Sequence, residues 1–456
     1  MKPPKSRKAE LGSNATGGEK PHAETAESAE FKMTELGPIP VDWEVTRLGE
    51  CCTRIKNGFT YSVCNRGSYK ISRIETISKG VVNYSRVGYV KDAPPADYML
   101  SNGDILFSHI NSLPYIGNVA LYDGKELLYH GMNLLLLRCN ESANANYLYY
   151  ALSSSPMRSK ARELAKIAIN QASISIGDLS RSEIPLPPLA EQRRIARALS
   201  DVDELISALG KLIEKKRNIK TGAMQQLLTG KTRLPGFGAA RAEFKQTELG
   251  PIPVDWEVKR LGGIGESIRG VSFRPEQSSL TLMPNATVLL RANNIQDNQI
   301  ICHDVLYVMN ECIAGCQQLT EGDILICAAN GSRNLVGKAA VWHKAEVATF
   351  GAFMAVFRCV KSVDSCFVGY LLQSQSYRRQ LDDILTGSAI NNLNAKDIEG
   401  LAFAFPTLAE QKAIGAVVSD MDAEIAALEA DCAKYERIKS GMMQELLTGK
   451  TRLKGE

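Results

Sequence analysis

"TELGPIPVDWEV" occupies Thr34–Val45, and the same twelve letters return at Thr247–Val258. The match extends beyond the phrase: Phe31–Glu50 and Phe244–Gly263 differ at only three positions in twenty. Downstream, "GDIL" stands at Gly103–Leu106 and Gly322–Leu325, "LAEQ" at Leu189–Gln192 and Leu408–Gln411, and "LLTGKTRL" at Leu227–Leu234 and Leu446–Leu453. The ends of the two copies agree closely while the middles diverge, the pattern of a duplicated scaffold around two specialised inserts. A chain of 456 residues calls for two or three domains, and two copies of about two hundred residues meet that expectation.

The bulk numbers narrow the class. With 44% apolar and 23% charged residues the chain reads as soluble and globular, and no apolar run is long enough for a membrane span. Residues 1–30, rich in Lys, Glu, Ala, Ser and Gly, read as a disordered leader without a secretory signal. Eleven cysteines without such a signal imply free thiols in a reducing, cytoplasmic compartment. A net charge of +4 does not announce a nucleic-acid partner, so local patches must carry any such reading.

The shared ends have a physical reading. Two prolines and a glycine make "GPIPVDW" an extended, turn-rich lead-in, with Trp43 and Trp256 as buried anchors. From about Pro188 to Gly230 the chain reads as one long helix. Ile195, Leu199, Val202, Ile206, Leu209 and Ile213 alternate four and three apart, the seam of a coiled coil, and Ile414, Val418, Met421, Ile425, Leu428 and Cys432 reproduce it. Thr407 with Glu410 fits a capping box, and Gly230 and Gly449 stand where a C-terminal glycine cap belongs. Each stripe needs a partner, and the other copy supplies one; under a pseudo-two-fold relation the two run antiparallel. Forty residues of helix span roughly 60 Å. A simple helical dimerisation device would also fit the stripes, but it leaves the divergent middles unexplained. Arg193, Arg194, Lys215, Lys216 and Arg217 read as a solvated or partner-facing surface.

Both middles read as mixed α and β. "NVALY" and "ELLYH" flank the Asp123-Gly124 turn as a hairpin would. Each middle closes on a helical stretch, "NYLYYALSSSPMRSKARELAKIA" and "FVGYLLQSQSYRRQLDDIL". Between Arg54 and Lys91 there are eight Lys or Arg and one acid, Glu75, interleaved with Phe59, Tyr61, Tyr69, Tyr84 and Tyr89. Such a mixture suits phosphates, guanine edges and sugar or base faces; a solvated strand face over core tyrosines is the competing reading. The second middle is amide-rich instead, with "RANNIQDNQ" and "AANGSRNLVGK".

Bond-making chemistry has no visible site. "LTGKT" lacks the earlier glycine of a phosphate loop, since Gln225 and Gln444 stand there. Of the histidines His22, His109, His130, His303 and His343, only His303 neighbours cysteines (Cys302, Cys312, Cys316), without CxxC spacing or a counterpart in the first copy. There is no G-x-S-x-G elbow and no acidic motif for metal-dependent nucleotide cleavage. No catalytic residue and no metal ligand is assigned.

In order and phrasing (the "GPIPVDWEV" lead-in, "GDIL", the "P-x-L-A-E-Q" helix start at Pro187 and Pro406, the "LLTGK" helix end) the chain resembles the specificity subunit of type I restriction-modification systems over about residues 31 to 453. The resemblance implies an α+β fold: two globular mixed α/β target-recognition domains joined by two long antiparallel coiled-coil helices in a pseudo-two-fold repeat. Its segments would be the leader at 1–30, target-recognition domain 1 at 31–187, spacer helix 1 at 188–230, a linker at 231–247, target-recognition domain 2 at 248–405, spacer helix 2 at 406–449 and a tail at 450–456. It also implies that each domain reads one half of a bipartite, asymmetric site on double-stranded DNA, that the helices fix the gap, and that two adenine-N6 methyltransferase subunits dock here. S-adenosylmethionine, ATP and Mg would belong to those subunits and to the restriction and translocase subunits, leaving this chain without a cofactor.

Candidate DNA contacts in the first domain are Lys56, Asn57, Phe59, Tyr61, Arg66, Lys70 and Arg73, then His109, Asn111 and Tyr115, then Asn170, Gln171 and Ser173. By repeat position the second offers Arg269, Phe273, Arg274, Arg291, Asn293 and Asn294, then Asn330, Ser332 and Arg333, then Asn391, Asn392 and Asn394. Two rivals stay open: an adaptor scaffold holding two protein partners without touching DNA, and an enzyme whose site has no recognisable motif.

Overall fold

The structure, a computed structural model, describes residues 30–62, 64, 66–78, 80–169, 171–238, 243–386 and 391–453; most of the leader read at 1–30 therefore lies outside the described residues. It divides into two compact units, Met1–Glu204 with Arg437–Glu456, and Leu205–Glu436.

In the first unit, strands β1 (Phe31–Thr34) and β2 (Gly37–Pro40) form a hairpin. Strand β3 (Glu44–Arg47) leads into β4 (Cys52–Asn57), and a two-stranded piece, β5 (Tyr69–Ile71) and β6 (Gly88–Val90), follows. Then come β7 (Ile105–Ser108), β8 (Ile110–Asn111), β9 (Val119–Leu121) and β10 (Leu134–Cys139). Helices α1 (Ala145–Ser153) and α2 (Ser155–Leu164) precede β11 (Lys166–Ala168), β12 (Gln171–Ser173), the short α3 (Ile176–Ser180) and β13 (Glu183–Leu186). The long α4 (Leu189–Leu227) begins in this unit and ends in the other.

The principal sheet is antiparallel in the order β4-β10-β7-β9. Strand β10 explains its own sequence: Leu134 to Leu137 are all buried, a run of leucines being what a strand covered on both faces requires. Leu135 and Leu137 pack with Tyr147, Leu148 and Ala151 of α1, whereas Leu134 and Leu136 pack with Ile77, Val87, Tyr122 and Leu128 of the opposite layer. Strand β3 pairs with β13, so the chain enters and leaves the lobe side by side.

The second unit repeats this frame. Strands at 265–269, 354–359, 324–327 and 339–341 form the equivalent sheet, followed by α5 (Ser365–Leu371), α6 (Gln375–Thr386), α7 (Ala395–Gly400) and α8 (Leu408–Leu446), which ends in the first unit. The opposite layer is where the copies part. Among the described residues the first unit has the β5–β6 pair and isolated bridges there, but the second builds a four-stranded sheet from 278–279, 306–309, 286–290 and 348–350, with 286–290 and 348–350 parallel.

Two expectations need correction. "NVALY" and "ELLYH" are not arms of one hairpin: β9 pairs with β7, while Tyr129 bridges Ile71 and Met99. The Asp123-Gly124 turn, with Gly124 at φ +70°, instead carries the chain from one layer to the other, because each run finds a better buried partner at long range than across the turn. Each expected closing helix is also two. Ser154 adopts an extended conformation and its Oγ accepts from Met157 N, with Pro156 in the first turn of α2, where its missing N–H costs nothing.

The long helices pair antiparallel within each unit. In the second, Lys216 meets Glu424 at 2.5 Å, Arg217 meets Glu429 at 2.7 Å and Lys220 meets Asp422 at 2.6 Å; in the first, Lys439 meets Asp203 at 2.6 Å. The stripe expected to pair with the other copy's helix is shared with the lobes. Ile195 and Leu199 are fully buried in the first unit's core, and Ile414 and Val418 in the second's. Ile425 is buried too, whereas Val202, Ile206, Leu209, Ile213, Met421, Leu428 and Cys432 are half-buried, as a two-helix seam leaves them.

The repeated phrases at the ends meet one another. In the first unit Arg452 of "LLTGKTRL" reaches Asp42 through two bonds of 2.8 and 2.7 Å and Glu191 of "LAEQ" through two of 2.7 Å; Trp43 Nε1 donates to Glu191 at 3.0 Å. In the second, Arg233 does the same with Asp255 (2.9 and 2.8 Å) and Glu410 (2.5 and 2.6 Å), although Trp256 Nε1 has no acceptor among the described residues. Only half of the expected capping box forms: Glu410 N donates to Thr407 Oγ1 at 3.4 Å, but the Glu410 carboxylate goes to Arg233. Gly449 (φ +70°) and Gly230 (φ +68°) end the helices in the left-handed region. Both must also be glycine because a Cβ would lie 2.4 Å from Pro40 and Pro253.

Burial alone would raise the Glu191 carboxyl, but hydrogen bonds from Arg452 and Trp43 outweigh it and hold the group below the ordinary carboxylate range. Arg452→Ala strands this carboxylate and should destabilise the first unit by about 3–5 kcal/mol in chemical denaturation. Asp42→Ala, whose carboxylate is about half exposed, should cost under about 1 kcal/mol. Since the folded-state pKa is depressed, the contribution of Glu191 is complete above the ordinary carboxylate range and is lost as pH falls below it, a dependence that Glu191→Gln should flatten.

Candidate nucleic-acid interface

Antiparallel pairing collects one end of the principal sheet into a face. Asn57 at the exit of β4 lies opposite Leu135, and Ser108 at the exit of β7 lies opposite Leu134, so both strands end where β10 begins. From β7 the chain passes through His109 into β8 and the exposed turn at 112–115. Strand β8 takes up β12, with Ile110 opposite Ser173 and Asn111 opposite Ala172, and β12 pairs in turn with β11. Asn111, Tyr115, Gln171 and Ser173 are thus gathered, all but Asn111 exposed; Asn111 is braced, its amide donating to Ser108 Oγ at 3.1 Å and its oxygen accepting from Ser112 N at 2.8 Å. Asn170 lies outside the described residues.

The basic stretch is less bare than its composition implies. Asp97, from outside it, pairs with both Lys56 and Arg54, whose hydrogen bonds hold its carboxyl below the usual range. Lys56 also lies over the Tyr98 ring at 3.6 Å. Lys70 pairs with Glu126, and Arg73 with Glu75 at 3.2 Å. Phe59 and Tyr61 pack with Tyr69 and Tyr98 around Ile71, Val90 and Tyr129, so these aromatics form a small core of their own layer. Arg66 is exposed and among the described residues has no carboxylate partner.

The second lobe repeats the face with other side chains. Arg269 ends its strand opposite Ala355. Ala329 bridges Asn392, the counterpart of Ile110 with Ser173. Asn330 N donates to Asn391 O at 3.3 Å, and Ser332 N to Asn330 Oδ1 at 3.0 Å. Arg333 donates to Thr386 Oγ1 at 2.9 Å and to Asp382 O at 3.1 Å. Asn330, Ser332, Arg333, Asn391 and Asn392 are thereby brought together. The remaining candidates lie elsewhere. Asn394 caps α7, accepting from Asp397 N at 3.0 Å. Arg291 and Asn293 hold Asp304, Phe273 packs against the small cluster of Val271, Leu289 and Val308, and Arg274 is exposed beside a short turn of helix.

Among the described residues no three His, Cys, Asp or Glu gather as a metal would need, and no helix is long and apolar enough to cross a membrane. All eleven cysteines are free thiols.

The sequence model of the type I restriction modification DNA specificity domain matches residues 40–218 and again 253–439. The chain belongs to this family. A protein assigned as the MjaX type I restriction enzyme specificity subunit of Methanocaldococcus jannaschii is 37% identical over 93% of this chain and 97% of its own length. The type I restriction enzyme EcoKI specificity subunit of Escherichia coli K12 is 31% identical over 41% of this chain and 40% of its own. Among solved structures, the type I S subunit from M. genitalium shares the fold with TM-score 0.56 at 16% identity, covering 89% of this chain and 96% of that one. A chain from a study of complex assembly and conformational transition in a type I R-M system gives TM-score 0.53 at 20% identity, with 91% and 99% covered.

In this specificity subunit two candidate contacts are corrected outright. Asn294 is fully buried, its amide donating to Ile301 O and His303 O at 3.0 Å each and its oxygen accepting from Arg291 N, so it staples a loop and has nothing left to offer a duplex. His109 is also buried, and burial pushes its imidazole down to about 4; His130 beside it is likewise at about 4. Neither is the cation a phosphate contact would want.

Other residues went unread in the sequence. The aspartate of each "GDIL" phrase is buried and takes a two-pronged bond from an arginine on the neighbouring strand: Asp104 from Arg138 (2.7 and 2.7 Å) and Asp323 from Arg358 (2.8 and 2.7 Å). The recurring "RC" at Arg138-Cys139 and Arg358-Cys359 was the available signal. Exposed Ile167, Ile169 and Phe353 at the sheet-end face had no polar or basic signature to mark them.

The histidine assignment predicts that the imidazole carbon-bound proton resonances of His109 and His130 stay constant between about pH 8 and 5, identified by loss in His109→Gln and His130→Gln. Because both folded-state values lie below the unfolded one, their contribution to stability is full above about pH 6.5 and declines as pH falls toward about 4.

Proposed function

We propose that this chain reads a bipartite, asymmetric site on double-stranded DNA, the lobe at 31–187 taking one half and the lobe at 248–405 the other. The observation that carries the reading is the repeated sheet-end face: the same backbone bridge (Ile110 with Ser173, Ala329 with Asn392) presents different polar side chains in each copy. One frame with two contents is what reading two unlike half-sites requires. Asn and Gln can make paired hydrogen bonds to adenine and Arg to guanine, so Asn111 and Gln171 on one side, and Asn330, Arg333 and Asn392 on the other, are suited to base edges. Arg66 and Lys166 are suited to phosphates, which position a protein without specifying sequence.

The two 39-residue helices, each begun in one unit and ended in the other, set the gap between half-sites. They offer two like surfaces to two adenine-N6 methyltransferase subunits. The chain is non-catalytic and cytoplasmic. S-adenosylmethionine is carried by the modification subunits, and ATP with Mg by the restriction and translocase subunits that join them.

The test is methylation-site mapping by sequencing in a host carrying the system, with residues 248–405 replaced by the matching stretch of another family member. The motif should change in one half only; an unchanged motif rejects the reading. Within the retained system, Arg333→Ala should relax discrimination at one base of that half, by about 10- to 100-fold in methylation rate between matched and altered sites.

A further inference from the structure

We infer that the β11–β12 hairpin carries an apolar wedge, Ile167 with Ile169, which enters the base stack of the half-site the first lobe reads. The inference rests on the DNA-reading proposal and adds to it a mode of recognition, distortion of the duplex, that polar loops alone do not provide.

Ile169 is 94% exposed, the most exposed large apolar side chain among the described residues, and Ile167 is 74% exposed. Apolar side chains so exposed are unfavourable in water. The ribbon that holds them out is well rooted: Ala172 is buried opposite Asn111, and Ile174 N donates to His109 O at 2.9 Å. Lys166 pairs with Ser173, Ile167 with Ala172 and Ala168 with Gln171, so Ile167 lies within and Ile169 just beyond the last pair of a short two-stranded ribbon whose alternate positions carry Lys166, Gln171 and Ser173. Two exposed apolar side chains on a ribbon that also carries hydrogen-bonding and cationic ones are far smaller than a stable protein interface needs. They match the apolar wedges with which proteins unstack a base step while neighbouring polar groups hold the groove. Continuity with Asn111 places them on the face already assigned to DNA. Reading then includes the cost of unstacking, lowest at pyrimidine–purine steps, which extends specificity to base pairs that no side chain hydrogen-bonds.

The test uses the full chain assembled with the modification subunits of its system, on duplexes carrying 2-aminopurine at each successive step of the first lobe's half-site. Fluorescence should rise at one step other than that of the methylated adenine. The double variant Ile167→Ser with Ile169→Ser should abolish this rise and weaken binding about tenfold, while Ile169→Leu retains both. A mismatch built into that step should tighten binding by the parent chain and leave the double variant unchanged. Sequence-specific binding without the rise, or a rise that survives the double variant, overturns the wedge alone. Absence of sequence-specific binding by the parent complex overturns the wedge and the DNA reading together. Both side chains are exposed, so unchanged thermal unfolding of the variants separates these outcomes from misfolding.

Discussion

A buried carboxylate held by an arginine from the other copy of the repeat is the constraint on which the architecture depends. Glu191 and Glu410 sit at the first turns of the long helices, almost without solvent contact, and each would be intolerable there alone. Arg452 and Arg233 make them tolerable, and each arginine comes from the tail that follows the other long helix. Each unit is therefore finished by a segment of the opposite repeat. Leu446 and Leu447 complete the core around Trp43, while Leu227 and Leu228 complete the one around Trp256. Lys439 beneath Tyr150 and Lys220 beneath Tyr370 repeat the logic further along, each pairing with the aspartate that accepts the tyrosine hydroxyl.

This accounts for which letters are duplicated. A buried glutamate, the arginine that meets it and a close-packed glycine make one knot, with a tryptophan and an aspartate beside them, and two knots need the set twice. Loss of the glutamate or the arginine would leave a charge unpaired, and a side chain in place of the glycine would put a Cβ into Pro40 or Pro253. The sequence therefore displayed the frame openly: the duplicated ends, the buried tryptophans, the glycine caps and the heptad stripe could be read because each depends on local pattern or on identity between copies. What stayed hidden depends on tertiary neighbours. The Asp123-Gly124 turn has a hairpin's chemistry but serves two layers, since the partners of β9 and Tyr129 lie at β7 and at Ile71 and Met99.

The site was legible in a coarser sense. The loops after "GDIL" and before α3 and α7 do come together, because the bridge of β8 with β12 and its counterpart at Ala329 and Asn392 joins them. Residue type alone could not separate side chains that face outward from those that hold a loop. Asn294 and Asn330 are both asparagines in amide-rich stretches, yet one is sealed behind three hydrogen bonds and the other sits half-buried at the sheet end. The basic stretch misled in the opposite direction: its counter-charges, Asp97 and Glu126, lie outside the window in which its charge was counted.

The division of labour within each lobe follows from the same sheet. One face of β10 packs on helices whose sequence must also suit the long helix, and the "GDIL" aspartate with its arginine locks β7 to β10 at the end remote from the candidate interface. The other face meets a separate layer, whose buried clusters among the described residues include no side chain of the long helices or the lead-in. That layer can be a two-stranded piece around Ile71 in one copy and a four-stranded sheet around Leu289 and Val308 in the other. The exits of β4 and β7 lie between the two regimes, on backbone fixed by the shared sheet but with side chains free of the shared core. Positions so placed can change chemistry without loss of a buried contact, and for a chain in which two heads must differ while their mounts remain alike, that is where difference can accumulate at least structural cost.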